Sequence, residues 1–187
     1  VKYVLVFTVS VQFFGALLLS TQFIPEFGFG KGAFYSLFHS ISAFCNAGFD
    51  VLGKGNSLIS FNTNVVVIMV LSILIIIGGL GFTVWSELYT CKSIRRVSIH
   101  SKMVLLITTG LVVGGTLLMF LFEHNNPQTI SKMSFINKLT NSFFASVTPR
   151  TAGFNSISTS GMTTAGQFLT IILMFIGGSP GSTAGGI

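Results

Sequence analysis

FHSISAFCNAGFD, at residues 38–50, returns in altered form as FFASVTPRTAGFN at residues 143–155. The two copies lie 105 residues apart and share a first phenylalanine and a later Ala-Gly-Phe. Each copy lies between two long apolar stretches. The chain therefore contains a repeated unit of apolar helix, short helix with a glycine turn, and apolar helix.

The composition is that of a membrane protein. Of 187 residues, 50% are hydrophobic and only 7% are charged, whereas soluble domains carry about 25% charge. A bilayer core about 30 Å thick requires roughly 20 helical residues. Three apolar runs have that length and a fourth is shorter: residues 3–24, 65–84, 103–122 and 164–176. These runs predict an all-α integral membrane protein whose first partner is the lipid bilayer.

Basic residues indicate the orientation of the chain. Residues 89–102 hold four of the ten lysines and arginines and no acid, and short basic loops remain on the cytoplasmic side. Both glycine turns therefore face outside. Because so much of the net charge of +6 lies in this one loop beside membrane spans, we expect no nucleic-acid partner.

The short helices predicted at residues 33–44 and 136–147 are too short to cross a bilayer. Twelve residues at 1.5 Å each reach about 18 Å, so the chain must return through non-helical backbone. Such backbone is tolerated at membrane depth only where it is buried in protein or lines a water-filled cavity. Carbonyls there can replace the hydration shell of a monovalent cation, and the helix C-terminal ends favour positive charge.

We call residues 45–50 the first glycine turn and residues 148–155 the second. They are the predicted ion selectivity filter, and the permeant cation is the only metal expected. The candidate filter residues are Asn46, Ala47, Gly48, Phe49, Thr151, Ala152, Gly153 and Phe154.

The last apolar run breaks into GGSPGSTAGGI at residues 177–187. Proline and clustered glycine do not hold a continuous helix. A nucleotide-binding loop is not expected, because no lysine precedes the Ser-Thr pair and no strand precedes the glycines. Either a flexible obstruction in the ion path or a substrate site built by a discontinuous helix fits this stretch. Its residues are Gly177, Gly178, Ser179, Pro180, Gly181, Ser182, Thr183, Ala184, Gly185 and Gly186.

Together AFCNAGFD, TPRTAGFN and GGSPGSTAGGI resemble the Trk/Ktr/HKT superfamily of potassium transporters, and are most similar to the bacterial Ktr membrane subunit. The resemblance implies four linked repeats around one pore. Residues 1–88 would be the second repeat, 89–102 a cytoplasmic loop, and 103–187 most of the third repeat. Gly48 and Gly153 would then be two of four filter glycines, and residues 177–186 an intramembrane gating loop.

The resemblance also implies potassium uptake across a bacterial plasma membrane by a multi-pass homodimer. It implies sodium-dependent uptake and a cytosolic ring of nucleotide-binding regulatory subunits on the side of residues 89–102. No enzymatic chemistry and no organic cofactor are expected in this chain. In the wider superfamily, serine in place of a filter glycine accompanies sodium transport.

Three alternatives remain open from the residues. A secondary cation transporter with a midplane site would share the broken helix but would not need two matching half-helices. A non-conducting membrane assembly subunit would need neither the broken helix nor the matching short helices, and it would tolerate bulky residues at Gly48 and Gly153. A two-repeat protein could also dimerise to complete one pore.

Several single residues carry expectations of their own. Arg150 would repel a permeant cation, so we expect it behind the filter strand, facing solvent or an acid. His39 has no second metal ligand nearby. Asp50 either concentrates cations at the outer mouth or is a solvated turn residue. Gly110 and Gly114 form a GxxxG motif that predicts close helix packing.

Overall fold

In a computed structural model, which describes residues 2–52, 57–91 and 97–185, the regular secondary structure is all helical, as predicted. No strand occurs in these three ranges. Two short 3-10 helices, Ser57–Phe61 and Thr159–Gly161, accompany the α-helices. The α-helices of the described residues are α1 (Lys2–Phe27), α2 (Phe29–Phe44), α3 (Val65–Gly79), α4 (Phe82–Thr90), α5 (Ile99–Glu123), α6 (Phe135–Val147) and α7 (Thr164–Ile176).

Two of these helices, α1 and α5, are long and apolar enough to cross a membrane. With 26 and 25 residues, they reach about 39 and 38 Å at 1.5 Å per residue. Both carry many exposed apolar side chains, including Phe13, Phe14, Leu106 and Leu121. Such faces fit a hydrocarbon environment rather than water.

The half-length helices are α2 and α6, with 16 and 13 residues, or about 24 and 20 Å. α6 agrees closely with its predicted range, whereas α2 begins four residues before residue 33. The chain turns at Gly28, with a φ of 80°, and re-enters helix at once. Gly32 then lies against the α1 backbone at Phe23 and Ile24, and this contact keeps the first turn of α2 helical.

The prediction of one continuous span over residues 65–84 is wrong. α3 ends at Gly79, and α4 leaves it at an angle of 90°. Gly81 has a φ of 91°, which a glycine adopts without steric cost. The indole Nε1 of Trp85 donates to the carbonyl of Ile77 at 2.9 Å and fixes the bend. α4 therefore turns across the end of α3 instead of extending it.

The largest buried apolar cluster joins α1, α2, α3 and α6. Its fully buried members include Phe23, Leu71 and Phe144. The second glycine turn belongs to the same cluster, because Ala152 and Phe154 are buried within it. The core therefore holds both half-length helices and one of the turns in fixed positions.

Close helix packing at the GxxxG motif is not found in the described part of the chain. A Cβ on Gly110 or Gly114 would meet no atom within 4 Å. The close approach is made by the next residue, Gly115, whose added Cβ would overlap the Ser146 hydroxyl and lie 3.5 Å from Leu173. Gly115 therefore sets the distance from α5 to α6 and α7.

We expect Gly115→Ala to destabilise the protein and Gly114→Ala to leave its stability unchanged or improved. The Gly115 methyl would displace Ser146, whose hydroxyl donates to the carbonyls of Leu111 and Val112. Overpacking of this kind costs about 1–3 kcal/mol, whereas alanine favours an open helix position by up to about 1 kcal/mol. Thermal unfolding in detergent measures the difference, and equal midpoints for the two variants would contradict this packing.

Candidate functional site

The two glycine turns repeat the same uncommon backbone. Asn46 and Gly48 have φ values of 50° and 70°, and the matched residues Thr151 and Gly153 have values of 74° and 85°. Left-handed φ is uncommon outside glycine, and such strain concentrates at functional sites. Asn46 and Thr151 share this feature at matched positions although their side chains differ. The duplication seen in the sequence therefore extends to backbone conformation.

The sign of φ alternates along each turn. Ala47 and Ala152, which lie between the left-handed residues, keep negative φ values. Alternation of this kind also occurs in backbone nests, where it brings successive peptide groups to one side of the chain. The two turns thus share an irregular backbone that a continuous helix does not have.

The two turns also contact each other. A Cβ on Gly48 would overlap the carbonyl oxygen of Ala152, and a Cβ on Gly153 would lie 3.6 Å from the Cα of Gly48. At Gly48, therefore, no side chain fits between the two turns. The structure therefore places the two predicted filter glycines side by side, although they are 105 residues apart in the chain.

A nearby hydroxyl holds the carbonyl of the phenylalanine in each Ala-Gly-Phe. Ser42 of α2 donates its hydroxyl to the carbonyl of Phe49 at 2.9 Å, and Thr148, the residue that follows α6, donates to the carbonyl of Phe154 at 2.6 Å. These two carbonyls therefore already have hydrogen-bond donors.

The carbonyls of residues 46–48 and 151–153 differ from those two carbonyls. Among the residues that the structure describes, none donates a hydrogen bond to any of these six oxygens. α2 and α6 end immediately before the turns, at Phe44 and Val147, so the negative ends of both helix dipoles lie nearby. Partial negative charge and unpaired carbonyls thus collect in one place.

The glycine-rich loop, which we define as the described residues 177–185, packs into the bend between α3 and α4. α7 ends at Ile176, as the sequence predicts, and Gly177 follows with a φ of 65°. Ser179 donates its N–H to the carbonyl of Gly79 at 3.1 Å and its hydroxyl to that of Leu80 at 2.6 Å. The bend therefore supplies the loop with carbonyl acceptors. Gly186, the last predicted loop residue, lies outside the described residues.

The same loop contacts the inner end of both glycine turns. The Thr183 hydroxyl donates to the carbonyl of Phe44 at 2.8 Å and accepts from the Asn46 side-chain amide at 3.0 Å. Gly185 donates its N–H to the Thr151 hydroxyl at 3.2 Å. The loop therefore links the bend between α3 and α4 to the two glycine turns.

Arg150 does not face solvent or an acid in the described part of the chain, contrary to the prediction. Its side chain is buried, Nε donates to the carbonyl of Gly177 at 3.0 Å, and Nη2 lies 3.4 Å from the Thr108 hydroxyl. In the described part of the chain no carboxylate pairs with it. Arg150 thus joins the second turn to the start of the glycine-rich loop.

His39 and Asp50 form a contact that the sequence reasoning missed. The ring is fully buried, and its Nε2 lies 3.2 Å from the Asp50 carboxylate. Asp50 also accepts the N–H of Leu52 at 2.7 Å, so it is neither a solvated turn residue nor a free acid at the mouth. The signal available in the sequence was the position of Asp50 at the end of the first glycine turn. That turn directly follows the half-length helix that contains His39.

Glu123 is a second buried acid, 1% exposed, at the end of α5. Its carboxylate accepts the N–H and hydroxyl of Thr163, the side-chain amide of Asn126 and the hydroxyl of Thr129, at 2.7–2.9 Å. It joins the end of α5 to the start of α7. No hydrophobic pattern could have revealed this role.

A dedicated metal centre is not found in the described residues, where no group of three histidine, cysteine or acidic side chains comes together. The oxygen ligands available at the two turns are neutral carbonyls. Such ligands suit a weakly held monovalent cation that must also leave.

Known proteins similar to this chain are transporters. It is 51% identical over 185 residues to the potassium/sodium uptake protein NtpJ of Enterococcus hirae, covering 99% of this chain and 40% of that protein. It is 40% identical over 187 residues to the Ktr system potassium uptake protein B of Bacillus subtilis, covering 100% and 42%. The chain thus spans about two fifths of the length of these relatives.

The fold is also that of a solved transporter. The crystal structure of the potassium transporter TrkH from Vibrio parahaemolyticus matches with a TM-score of 0.77 and 20% sequence identity. The match covers 99% of this chain and 37% of that one. At this identity the likeness concerns the fold alone.

The family comparison covers every residue. The sequence model of the family described as TrkH, cation transport protein, matches residues 1–187. This is a family of transport proteins and not of enzymes. With its sequence matched from end to end and its helices arranged as in a solved member, the chain belongs to the TrkH family of cation transport proteins.

Proposed function

We propose that the two glycine turns form part of a selectivity filter through which potassium ions cross the membrane. The observation that carries the proposal is the matched left-handed backbone at Asn46 and Gly48 and at Thr151 and Gly153. It accompanies carbonyls without donors in the described residues and two nearby helix C-terminal ends. Carbonyl oxygens would replace the hydration shell of the ion.

The choice of potassium draws on the relatives. NtpJ is named as a potassium/sodium uptake protein and the Ktr B protein as a potassium uptake protein. The hydrogen bonds of the two turns indicate which carbonyls remain available to an ion. Because the oxygens of Phe49 and Phe154 accept hydroxyl hydrogen bonds, the proposal assigns the ion to the carbonyls of residues 46–48 and 151–153.

Two strands do not close a ring of carbonyls, so the proposed pore needs more. We propose that residues 1–88 and 103–187 act as the second and third of four repeats, each of which supplies one strand. The chain spans 40% of NtpJ and 42% of the Ktr B protein, which fits this share. A pore completed by two copies of a two-repeat chain is the alternative.

The proposed orientation places both turns at the outer side of a bacterial plasma membrane. Residues 89–102 would then be cytoplasmic, following the distribution of basic residues. Lys92, Arg95 and Arg96, which carry this inference, lie outside the described residues. By resemblance, we propose a homodimer of pores, a cytosolic nucleotide-binding ring on the side of this loop, and sodium as an activator.

The glycine-rich loop is proposed as the gate. It contacts Asn46 and Thr151 at the inner end of the turns, where an ion leaving the filter would pass. It also donates hydrogen bonds to the carbonyls of Gly78 and Gly79, at the end of α3. A loop held by a few hydroxyl and backbone bonds can change position without repacking the core.

We expect Gly48→Ser and Gly153→Ser to weaken potassium uptake and to let sodium compete better. The serine at position 48 would overlap the Ala152 carbonyl, whereas that at position 153 meets the Cα of Gly48 at ordinary contact distance. The loss should therefore be larger for Gly48→Ser. Potassium uptake by the full gene product, in cells without their own uptake systems, measures affinity and sodium competition.

The matched control is Gly30→Ser, since a Cβ on Gly30 meets nothing within 4 Å of the described chain and its φ is not left-handed. It should transport as wild type does. Unchanged affinity and ion preference in both turn variants would contradict the filter and favour the assembly-subunit alternative.

We expect Thr183→Val to raise the maximal uptake rate without changing ion preference. Valine keeps the shape but loses the hydroxyl that bridges Phe44 and Asn46. Loss of such hydrogen bonds would change the equilibrium between the bridging position of the loop and its other positions by up to about tenfold. Thr183→Ser keeps the hydroxyl and serves as the control. An altered potassium-to-sodium preference at unchanged rate would instead support a midplane substrate site at the broken helix.

A further inference from the structure

The His39–Asp50 contact joins the middle of α2 to the outer end of the first glycine turn. We propose that this pair is a strut that positions the filter strand for ion discrimination, an inference that rests on the proposed function. His39 would thus be a positioning residue, since its ring is fully buried and meets no ion path.

The hydrogen bonds fix the ring in one orientation. Nδ1 lies 2.8 Å from the carbonyl of Tyr35, which can only accept, so Nδ1 carries a proton. Nε2 then faces the Asp50 carboxylate at 3.2 Å. The ring is thus held at both nitrogens, by its own helix and by the end of the first glycine turn.

Aromatic rings surround His39 and exclude alternative positions. Its centroid lies 5.6 Å from that of Phe23 and 5.9 Å from that of Phe38, both at steep angles. It lies 6.3 Å from Phe154, which belongs to the second glycine turn. A shift of His39 would therefore be felt at both turns.

The second repeat of this chain supports its turn differently. The positions that match His39 and Asp50 are Phe144 and Asn155, which cannot form a charged contact. Instead, the Asn155 backbone forms two hydrogen bonds with the other repeat: its N–H donates to the Ser57 hydroxyl at 3.1 Å, and its carbonyl accepts the N–H of Leu58 at 2.9 Å.

This asymmetry gives the strut its importance. The second turn is held at its outer end by Ser57 and Leu58, and that segment follows Asp50 in the chain. The first turn is held there by two side chains of α2, Ser42 at the Phe49 carbonyl and His39 at the Asp50 carboxylate. Loss of the strut would leave that end of the first turn with only one of its two side-chain supports from α2.

The test uses uptake of potassium by the full gene product in cells lacking their own uptake systems. We expect His39→Phe to raise the potassium concentration for half-maximal uptake, and to improve sodium competition, by about tenfold each, the range set by one lost charge-assisted hydrogen bond. Asp50→Asn should change them by less, about threefold, because asparagine keeps the size of the side chain and an oxygen that can accept the N–H of Leu52. His100→Phe, an exposed histidine, is the matched control.

The double variant His39→Phe, Asp50→Asn reproduces the residue pair of the other repeat and leaves no unpaired carboxylate. It should recover maximal rate relative to His39→Phe but keep the poor discrimination, because the strut is still absent. Full recovery of discrimination in this variant would overturn the strut and attribute the damage to unpaired charge alone.

Gly48→Ser separates the two proposals in the same assay. If it loses ion discrimination while His39→Phe, at wild-type abundance in the membrane, keeps it, the strut is wrong and the filter stands. If neither changes discrimination, the proposed filter itself fails. If His39→Phe does not accumulate, the double variant is compared with wild type instead. Poor ion discrimination in it supports the strut, and wild-type discrimination overturns the strut.

Discussion

A helix of 13 or 16 residues that enters a bilayer cannot leave it as a helix, and this constraint determines most of the structure. The chain that follows must carry its carbonyls without the hydrogen bonds of a helix. After α2 and after α6 the chain turns in the same way, with left-handed residues at matched positions. The carbonyls that remain without donors are then the natural ligands of a dehydrated cation.

The surrounding side chains satisfy the other polar groups that the turns bring into the interior. Hydroxyls perform much of this work: Ser42 and Thr148 hold the two phenylalanine carbonyls, and Thr183 holds the carbonyl at the end of α2. A hydroxyl both donates and accepts, so Thr183 also accepts from Asn46. The result is a polar network that links the two glycine turns, the half-length helices and the glycine-rich loop.

Local pattern predicted the half-length helices, the paired glycines and the break after Ile176, because each is encoded by short-range composition. The bend at Gly81 was missed because the hydropathy of the run through Val84 outweighed the local signal of Gly78, Gly79 and Gly81. Local pattern also pointed to Gly114 when Gly115 makes the contact, because spacing alone does not say which helix face meets a neighbour. The partners of Arg150 and His39 depend on tertiary geometry, to which a hydropathy pattern is blind.

The two copies of the repeat agree in backbone but differ in what holds that backbone. Arg150 matches Cys45, an exposed thiol, and His39 matches Phe144. In the described chain the glycine-rich loop follows one repeat only, so only that repeat needs an arginine to receive it. An ion surrounded by carbonyls requires equivalent strands, whereas a single gate requires unequal ones. Residues shared by the copies therefore fit ion binding, and those that differ between them fit its control.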